Sequence, residues 1–181
     1  GIVEVGCYSN YYLVIGSIKQ VLNEAVDGIS ASVGNLGVTS DTEHIKKVYK
    51  AALLFNHWVF GLCSVCVFGL ISPFVELSFG KQFVFHYSIV FILCLNIYIQ
   101  GIEKASNIFH NSLGLFWFDR YKSLIEAVLN LAISIALAPR LGIFGIFLGT
   151  TISTVLTTLW VEPYIIYKYE FKENVVRHLL L

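Results

Sequence analysis

The sequence predicts an all-α integral membrane protein with five transmembrane helices, and three observations lead to that prediction. First, hydrophobic residues make up 56% of the 181-residue chain, charged residues only 13%, and the mean hydropathy is +0.73. Second, helix-length apolar blocks follow one another between Lys50 and Tyr167, and a helix needs about 20 such residues to cross about 30 Å of hydrocarbon. Third, most charges lie in the short segments between these blocks. Lipid is therefore expected to be one of the chain's solvents.

The five helices are predicted in chain order at about residues 6–33, 51–77, 85–115, 121–138 and 142–167. Segments with turn-forming or helix-breaking residues separate them at residues 34–37, 72–73, 80–82 and 139–142. Together the helices would form one bundle over residues 1–168, with the longer ones tilted or protruding beyond the lipid. Residues 169–181 are expected to form a cytoplasmic tail or to begin a further segment. Because the sequence contains no Met, we expect the chain to be a piece of a longer membrane protein.

The basic residues predict an orientation, because Lys and Arg accumulate in cytoplasmic loops. One side of the membrane would hold eight of them, namely Lys46, Lys47, Lys50, Arg120, Lys122, Lys168, Lys172 and Arg177. The opposite side would hold only Lys81 and Arg140. The N-terminus is therefore expected outside the cytoplasm and the C-terminus inside it. The balance of 12 basic and 12 acidic residues argues against binding to nucleic acid, which favours a basic surface.

Polar residues recur every three or four positions in three of the predicted helices, so each helix presents a polar stripe on one face. Because a charge at mid-membrane costs about 2.5–3.5 kcal/mol, such stripes should face one another or water. If they converge, they line a hydrated cavity, for which the candidates are Lys19, Gln20, Asn23, Asp27, Asn96, Gln100, Glu103, Lys104, Asn107, Glu126 and Asn130. In the alternative interpretation, the charged members only pair between helices or reach towards the membrane surface.

The fifth predicted helix has a different pattern, with small residues four positions apart at Gly145, Gly149 and Ser153. Small residues in this spacing let two helix backbones approach closely in lipid. We expect this face to pack against another helix and not to bind a ligand. The His and Cys residues do not combine into a set with metal-ligand spacing, so neither a metal nor a cofactor is expected.

Four segments carry more specific motifs, which are VGCYSNYY at residues 5–12, GLFWFDRYK at 114–122, GIFGIFLGTTIS at 142–153 and WVEPY at 160–164. In the same order they resemble the VGLYSNY, GLFWYDRYK, GIxGVxxGTxxS and WVEPY segments of bacterial Wzx-like polysaccharide-biosynthesis flippases. The second motif contains Asp119, Arg120 and Lys122, and Glu126 and Asn130 match the "E...N" that follows it in the family. The chain departs from the family pattern at Cys7, where Leu is usual.

The resemblance implies a fold and a function. The family has the multidrug/oligosaccharidyl-lipid/polysaccharide exporter fold, and the chain would supply helices eight to twelve, most of the second lobe of a 12–14-helix transporter. Such a transporter flips undecaprenyl-pyrophosphate-linked oligosaccharide repeat units across the bacterial cytoplasmic membrane for surface polysaccharide synthesis. Its expected partners are the lipid-linked oligosaccharide, membrane lipid and the missing N-terminal lobe of the same chain. The coupling ion would be H⁺ or Na⁺.

Two other functions remain open at this point. An ion-coupled drug or cation exporter of the same fold would need a more aromatic cavity with fewer amides. A membrane-bound glycan-modifying enzyme would need an acid/base pair or a histidine motif. The sequence has no nucleophile elbow, phosphate-binding loop or zinc-protease motif, so a transporter and not an enzyme is expected.

Overall fold

The computed structural model describes residues 2–39, 41–117 and 120–171. Every regular element within these ranges is helical and none is a strand, which confirms the predicted all-α class. The helices are α1 (Ile2–Asp27), α2 (Ser30–Thr39), α3 (Thr42–Phe79), α4 (Tyr87–Ser112), α5 (Lys122–Leu156) and α6 (Thr158–Ile165). Short 3-10 turns occupy Lys81–Phe83 and Leu115–Trp117, and a π-helical turn occupies Ile166–Glu170.

The chain reverses direction inside α5 at Gly142. The φ of this residue is 58°, in the left-handed region that glycine adopts without steric cost. Twenty positions apart, Asn130 Nδ2 donates a hydrogen bond to Thr150 Oγ1 at 3.1 Å. We therefore describe α5 as an antiparallel hairpin with two arms, arm 1 (residues 122–141) and arm 2 (residues 143–156).

The structure differs from the predicted boundaries in the first part of the chain. The predicted helix at 6–33 is interrupted, because α1 ends at Asp27 and α2 begins at Ser30. The chain is also helical through most of the predicted loop after residue 33, and α3 begins at Thr42. Ile45 and Tyr49, four positions apart on α3, are 2% and 0% exposed. This early turn of α3 is helical because it buries an apolar face in spite of its lysines.

Helix α3 also continues through Pro73, where the sequence predicts a separator, and ends at Phe79. Ile71 and Val75, on either side of the proline, are 3% and 0% exposed. Their burial favours the continued helix over the break that a proline would otherwise introduce. The predicted turn after α3 is present, and there Gly80 has a φ of 103°.

Helix α4 lies at the centre of the described structure and contacts each of the other five α-helices. It packs most extensively against α3, where a Cβ on Gly101 would lie 2.0 Å from Cγ of Phe60. On the same side, Asn56 Nδ2 donates to the Gly101 carbonyl at 3.1 Å, and Ser64 Oγ donates to the Cys94 carbonyl at 2.8 Å. Small and polar residues thus hold α3 and α4 together, as is usual for helices that pack in lipid.

Three segments among the described residues are long and apolar enough to cross a membrane, namely Thr42–Phe79, Tyr87–Ser112 and Lys122–Glu170. The chain is therefore described as a membrane protein. The reversal at Gly142 lies within the third segment. Helix α1 is not among the three, since its polar stripe and its tyrosines lower its mean hydropathy.

Candidate functional site

Residues of α1, α4 and α5, with Phe60 of α3, line an open space that contains many polar side chains, which we call the polar cavity. It consists of two adjoining compartments of about 570 and 330 Å³, which share Lys19, Asn23, Ile97, Gln100 and Thr150. The polar stripes that the sequence placed on separate helices therefore meet in one place. The predicted residues that line the cavity are Lys19, Gln20, Asn23, Asn96, Gln100, Glu103, Lys104, Asn107 and Glu126.

The two compartments differ in their lining. The larger one is bounded partly by the aromatic side chains of Tyr8, Tyr12 and Phe147. The smaller one contains the carboxylates of Glu103 and Glu126. The larger compartment is therefore partly aromatic, and the smaller one combines these carboxylates with the ammonium groups of Lys19 and Lys104.

Lys19 is the basic residue shared by both compartments. It projects from α1 and its Nζ donates to Oε1 of Gln100 on α4. The hydrogen-bond acceptor of the ammonium group is thus a neutral amide, while the Glu103 carboxylate interacts with it electrostatically from farther away. Since an amide oxygen does not neutralise the charge, Lys19 places a positive charge inside the cavity.

Glu126, on arm 1, is held by hydroxyl groups. Thr154 Oγ1 donates to its Oε1 at 2.8 Å, and Thr158 Oγ1 donates to its Oε2 at 2.7 Å. Thr154 and Thr158 are 5% and 0% exposed. Both carboxylate oxygens of Glu126 therefore accept a hydrogen bond from a buried threonine, and these bonds orient the side chain beside the smaller compartment. Neither of these two donors is a basic side chain.

Asn96 and Asn130 bond to the hairpin. Asn96 Oδ1 accepts from Thr151 Oγ1 at 3.0 Å, and its Nδ2 donates to the Phe147 carbonyl at 3.3 Å. Asn130 bonds across the hairpin to Thr150 and accepts from Ser134 Oγ at 3.2 Å. Asn130 does not contribute to the cavity lining. Its contacts support a packing role between arm 1 and arm 2.

Asp27 also lies beyond the cavity lining. Its Oδ1 is 2.8 Å and its Oδ2 2.9 Å from Nζ of Lys104, so the end of α1 is joined to α4 by a bidentate ion pair. The side chains are 48% and 26% exposed. For these two residues the structure agrees with the alternative interpretation, in which charges pair between helices.

A buried ion pair connects arm 1 to α6. Lys122 Nζ contacts Oε1 of Glu162, whose side chain is 0% exposed, while the Lys122 side chain is 10% exposed. Asn107 Nδ2 donates to the same oxygen at 3.1 Å. Within the described ranges, no donor reaches Glu162 Oε2.

Glu162 was not among the residues that the sequence placed in the cavity. The polar spacing of α4 identified its partner Asn107, but Glu162 stands alone in an apolar run and belongs to no stripe. The charge of Glu162 is the feature from which its role could have been predicted, since an acidic residue inside a membrane-spanning segment needs a partner.

The remaining predicted residues fall into two groups. Arg120 stacks between Trp117 and Tyr121, with Cζ 4.7 Å from each ring centroid, while Asp119 of the same turn lies outside the described residues.

The small residues of arm 2 face arm 1, where a Cβ on Gly145 would lie 2.8 Å from the Leu137 carbonyl oxygen. A Cβ on Gly149 would lie 2.4 Å from Oγ of Ser134. Ser153 is fully buried and bonds to the Thr150 carbonyl of its own arm.

The lining of the cavity can supply hydrogen bonds and charges of both signs. It offers the ammonium groups of Lys19 and Lys104, the carboxylates of Glu24, Glu103 and Glu126, and several amides, inside a bundle whose outward surface is largely apolar. Comparisons of the chain with protein-family models, with curated proteins and with solved structures found no match.

Proposed function

We propose that this chain is part of a transporter that flips a lipid-linked oligosaccharide, of the undecaprenyl-pyrophosphate type, across the bacterial cytoplasmic membrane. The observation that carries the proposal is the polar cavity between α1, α4 and α5. A glycan that crosses about 30 Å of hydrocarbon must exchange its water for protein hydrogen-bonding groups. The motifs at residues 5–12, 114–122, 142–153 and 160–164 support the same proposal through their resemblance to Wzx-like flippases.

In the proposed arrangement the chain crosses the membrane five times. The crossings are α1 with α2, α3, α4, arm 1, and arm 2 with α6. The reversal at Gly142 supports a division of the last apolar segment into two crossings. The excess of Lys and Arg on one side supports a cytoplasmic C-terminus. The chain would then form most of one lobe, with a second lobe closing the cavity from the other side.

The proposed roles follow from the contacts in the cavity. Gln20 and Asn23 would bind sugar hydroxyls, since neither makes a hydrogen bond with another described side chain. Lys19, whose hydrogen-bond acceptor is a neutral amide, would attract the pyrophosphate. Glu103 and Glu126 would bind the H⁺ or Na⁺ whose gradient drives the change between inward-open and outward-open states.

The proposal is tested by replacing cavity residues in the intact protein and measuring surface polysaccharide. Lys19→Gln, Asn23→Ala and Glu126→Gln are each expected to reduce the polysaccharide and to leave lipid-linked repeat units in the inner leaflet. The matched control is Leu131→Ala on arm 1, because Leu131 is 62% exposed on the apolar outside of the hairpin. Normal polysaccharide in all three cavity variants would contradict the proposal.

One observation favours the exporter of drugs or cations as the second candidate. Tyr8, Tyr12 and Phe147 line the larger compartment, and aromatic faces attract organic cations. The two candidate functions predict different phenotypes when the gene for the intact protein is deleted. Loss of surface polysaccharide with unchanged resistance to cationic compounds supports the flippase, and the reverse result supports the exporter.

A further inference from the structure

A second open space in the described structure lies outside the polar cavity, on the opposite side of the α3–α4 interface. It is a groove of about 680 Å³, which we call the apolar groove, and its main walls are His57, Trp58, Gly61 and Phe68 of α3 with Phe91 and Tyr98 of α4. Both helices are long and apolar enough to cross a membrane. The groove therefore lies against the hydrocarbon of the bilayer.

The two ends of the groove differ chemically. At one end the Tyr98 hydroxyl lies 2.9 Å from His57 Nδ1. At the other end the rings of Phe68 and Phe91 meet edge to face, with centroids 6.1 Å apart. Eleven residues separate His57 from Phe68, which is about 17 Å along the axis of α3. This length matches one leaflet, since half of the hydrocarbon core is about 15 Å.

Two lysines continue the same face of α3 beyond the polar end of the groove. Lys47 and Lys50 precede Leu54, Trp58 and Gly61 at intervals of three or four residues, so all five positions lie on one side of the helix. Both lysines are exposed. A positive charge thus stands where the headgroup of a lipid would lie if its acyl chain filled the groove.

We propose that the apolar groove binds one anionic phospholipid, with its phosphate at Lys47 and Lys50 and one acyl chain between α3 and α4. The His57–Tyr98 pair lies between these parts, at the depth of the glycerol and ester groups, where polar edges of aromatic side chains are favoured. An apolar protein helix in the same groove would itself offer no anionic group to these lysines. This inference does not depend on the proposed function, because the groove and the polar cavity share no residue.

The test uses Trp58, which is 71% exposed in the groove. In the intact protein, other tryptophans are replaced by Phe so that Trp58 is the single fluorophore, and the protein is placed in phosphatidylcholine nanodiscs. Brominated acyl chains quench tryptophan on contact, so brominated phosphatidylglycerol and brominated phosphatidylcholine are titrated separately. The anionic lipid is expected to reach half-maximal quenching at about tenfold lower mole fraction.

Substitutions of Lys47 and Lys50 test whether these lysines cause the preference for the anionic lipid. Lys47→Gln combined with Lys50→Gln is expected to remove the preference and leave the helical circular dichroism unchanged. The control is Lys81→Gln, in the turn that follows the other end of α3, where the lysine is 88% exposed and lies 3.4 Å from Glu76. It should keep the preference. Gly61→Leu, whose side chain would enter the groove beside Tyr98, should weaken quenching by both lipids.

Three results would overturn the proposal. Equal quenching by the two lipids would mean that the charge has no part in binding. A preference that survives in the double lysine variant would place the phosphate elsewhere. The absence of quenching by either lipid would mean that protein covers the groove, either another segment of the intact chain or a second copy. Should Gly61→Leu fail to fold, the lysine variants still decide between these outcomes.

Discussion

The carboxylate of Asp27 and the ammonium group of Lys104 lie 2.8 Å apart, although 77 residues of chain separate them. The pair joins the end of α1 to α4 beside the smaller compartment of the polar cavity, whose lining includes Lys104. Both side chains are partly exposed. The charges of Asp27 and Lys104 thus neutralise each other at the edge of the cavity. The ammonium group of Lys19, in contrast, lies inside the cavity.

Removal of one partner of this pair is expected to cost more than the exchange of the two charges. Asp27→Asn leaves the Lys104 charge uncompensated, so we expect a loss of about 1 kcal/mol in the free energy of unfolding, a modest value because of the exposure. The exchange Asp27→Lys with Lys104→Asp should recover most of that loss. Chemical unfolding in detergent measures both values. Identical stabilities of the single variant and the wild type would show that the ion pair contributes nothing.

Glu126 provides a prediction about hydrogen bonds. Glu126→Gln retains an acceptor for one of the threonine hydroxyls, and the other hydroxyl can rotate to accept from the amide. We therefore expect Glu126→Gln to change stability by less than about 1 kcal/mol. Glu126→Ala leaves Thr154 and Thr158 buried without this acceptor, which should cost about 1–3 kcal/mol.

The thermal unfolding of the two Glu126 variants is the measurement, with transport followed in parallel. A loss of transport in Glu126→Gln with retained stability would assign a role to the negative charge. If the Gln variant is as unstable as the Ala variant, the hydrogen bonds in the structure do not hold Glu126 in the way described.

Gly149 should be essential for the hairpin. A Cβ at this position would lie 2.4 Å from Ser134 Oγ and 3.1 Å from the Ser134 backbone nitrogen, so arm 1 and arm 2 would have to separate. We expect Gly149→Ala to destabilise the protein by about 1–3 kcal/mol. The matched control is Gly69→Ala on α3, where no atom lies within 4 Å of the new Cβ.

Gly69→Ala should be neutral or stabilising by about 0.5–1 kcal/mol, because alanine is the better helix former. Both variants are compared by thermal unfolding in the same detergent. An equal loss of stability in the two would contradict the close approach of the arms.

The buried pair of Lys122 and Glu162 predicts a larger effect. Lys122→Met would leave the fully buried carboxylate without its counter-charge, at an expected cost of about 3–5 kcal/mol. Combining it with Glu162→Gln removes both charges and keeps an acceptor for Asn107, so most of the stability should return. Lys81→Met, at an exposed pair, is the control and should change little. A double variant no more stable than Lys122→Met would be inconsistent with a charge imbalance as the cause.

The hydration of the polar cavity can be measured by thiol labelling. After replacement of the native cysteines, Asn23→Cys should react with a charged thiol reagent, because Asn23 lines both compartments. Leu131→Cys, on the apolar outside of arm 1, should react roughly tenfold more slowly because lipid disfavours the thiolate. Equal rates at the two positions would mean that the cavity is dry or that the outer face of arm 1 is wet.

Much of the fold could be predicted from the sequence, but some helix boundaries could not. Apolar blocks and their spacing are local properties, so the all-α class followed from them directly. The sequence did not reveal that the segment before Lys50 is helical, because its lysines obscure the apolar face that Ile45 and Tyr49 bury. Pro73 was similarly misleading, since burial of its neighbours keeps α3 continuous.

The candidate site was predictable only in part for a related reason. Periodicity assigned Asn96, Gln100 and Asn107 to one face of α4, and that face does meet polar groups. It could not distinguish Asn107, which bonds to Glu162, from Gln100, which meets Lys19 at the cavity. Partners so far apart in the chain are chosen by helix packing and not by spacing.

The sequence by itself determined that the chain is helical and apolar and that polar groups share faces on three of its helices, because side-chain direction along a helix depends only on local geometry. The tertiary structure alone decided which of these faces meet. It joined Asp27 to Lys104 and Lys122 to Glu162, and it left Lys19 and Asn23 facing a cavity. The rotation of each helix relative to its neighbours is set by packing over the whole interface, which spacing within one helix does not specify.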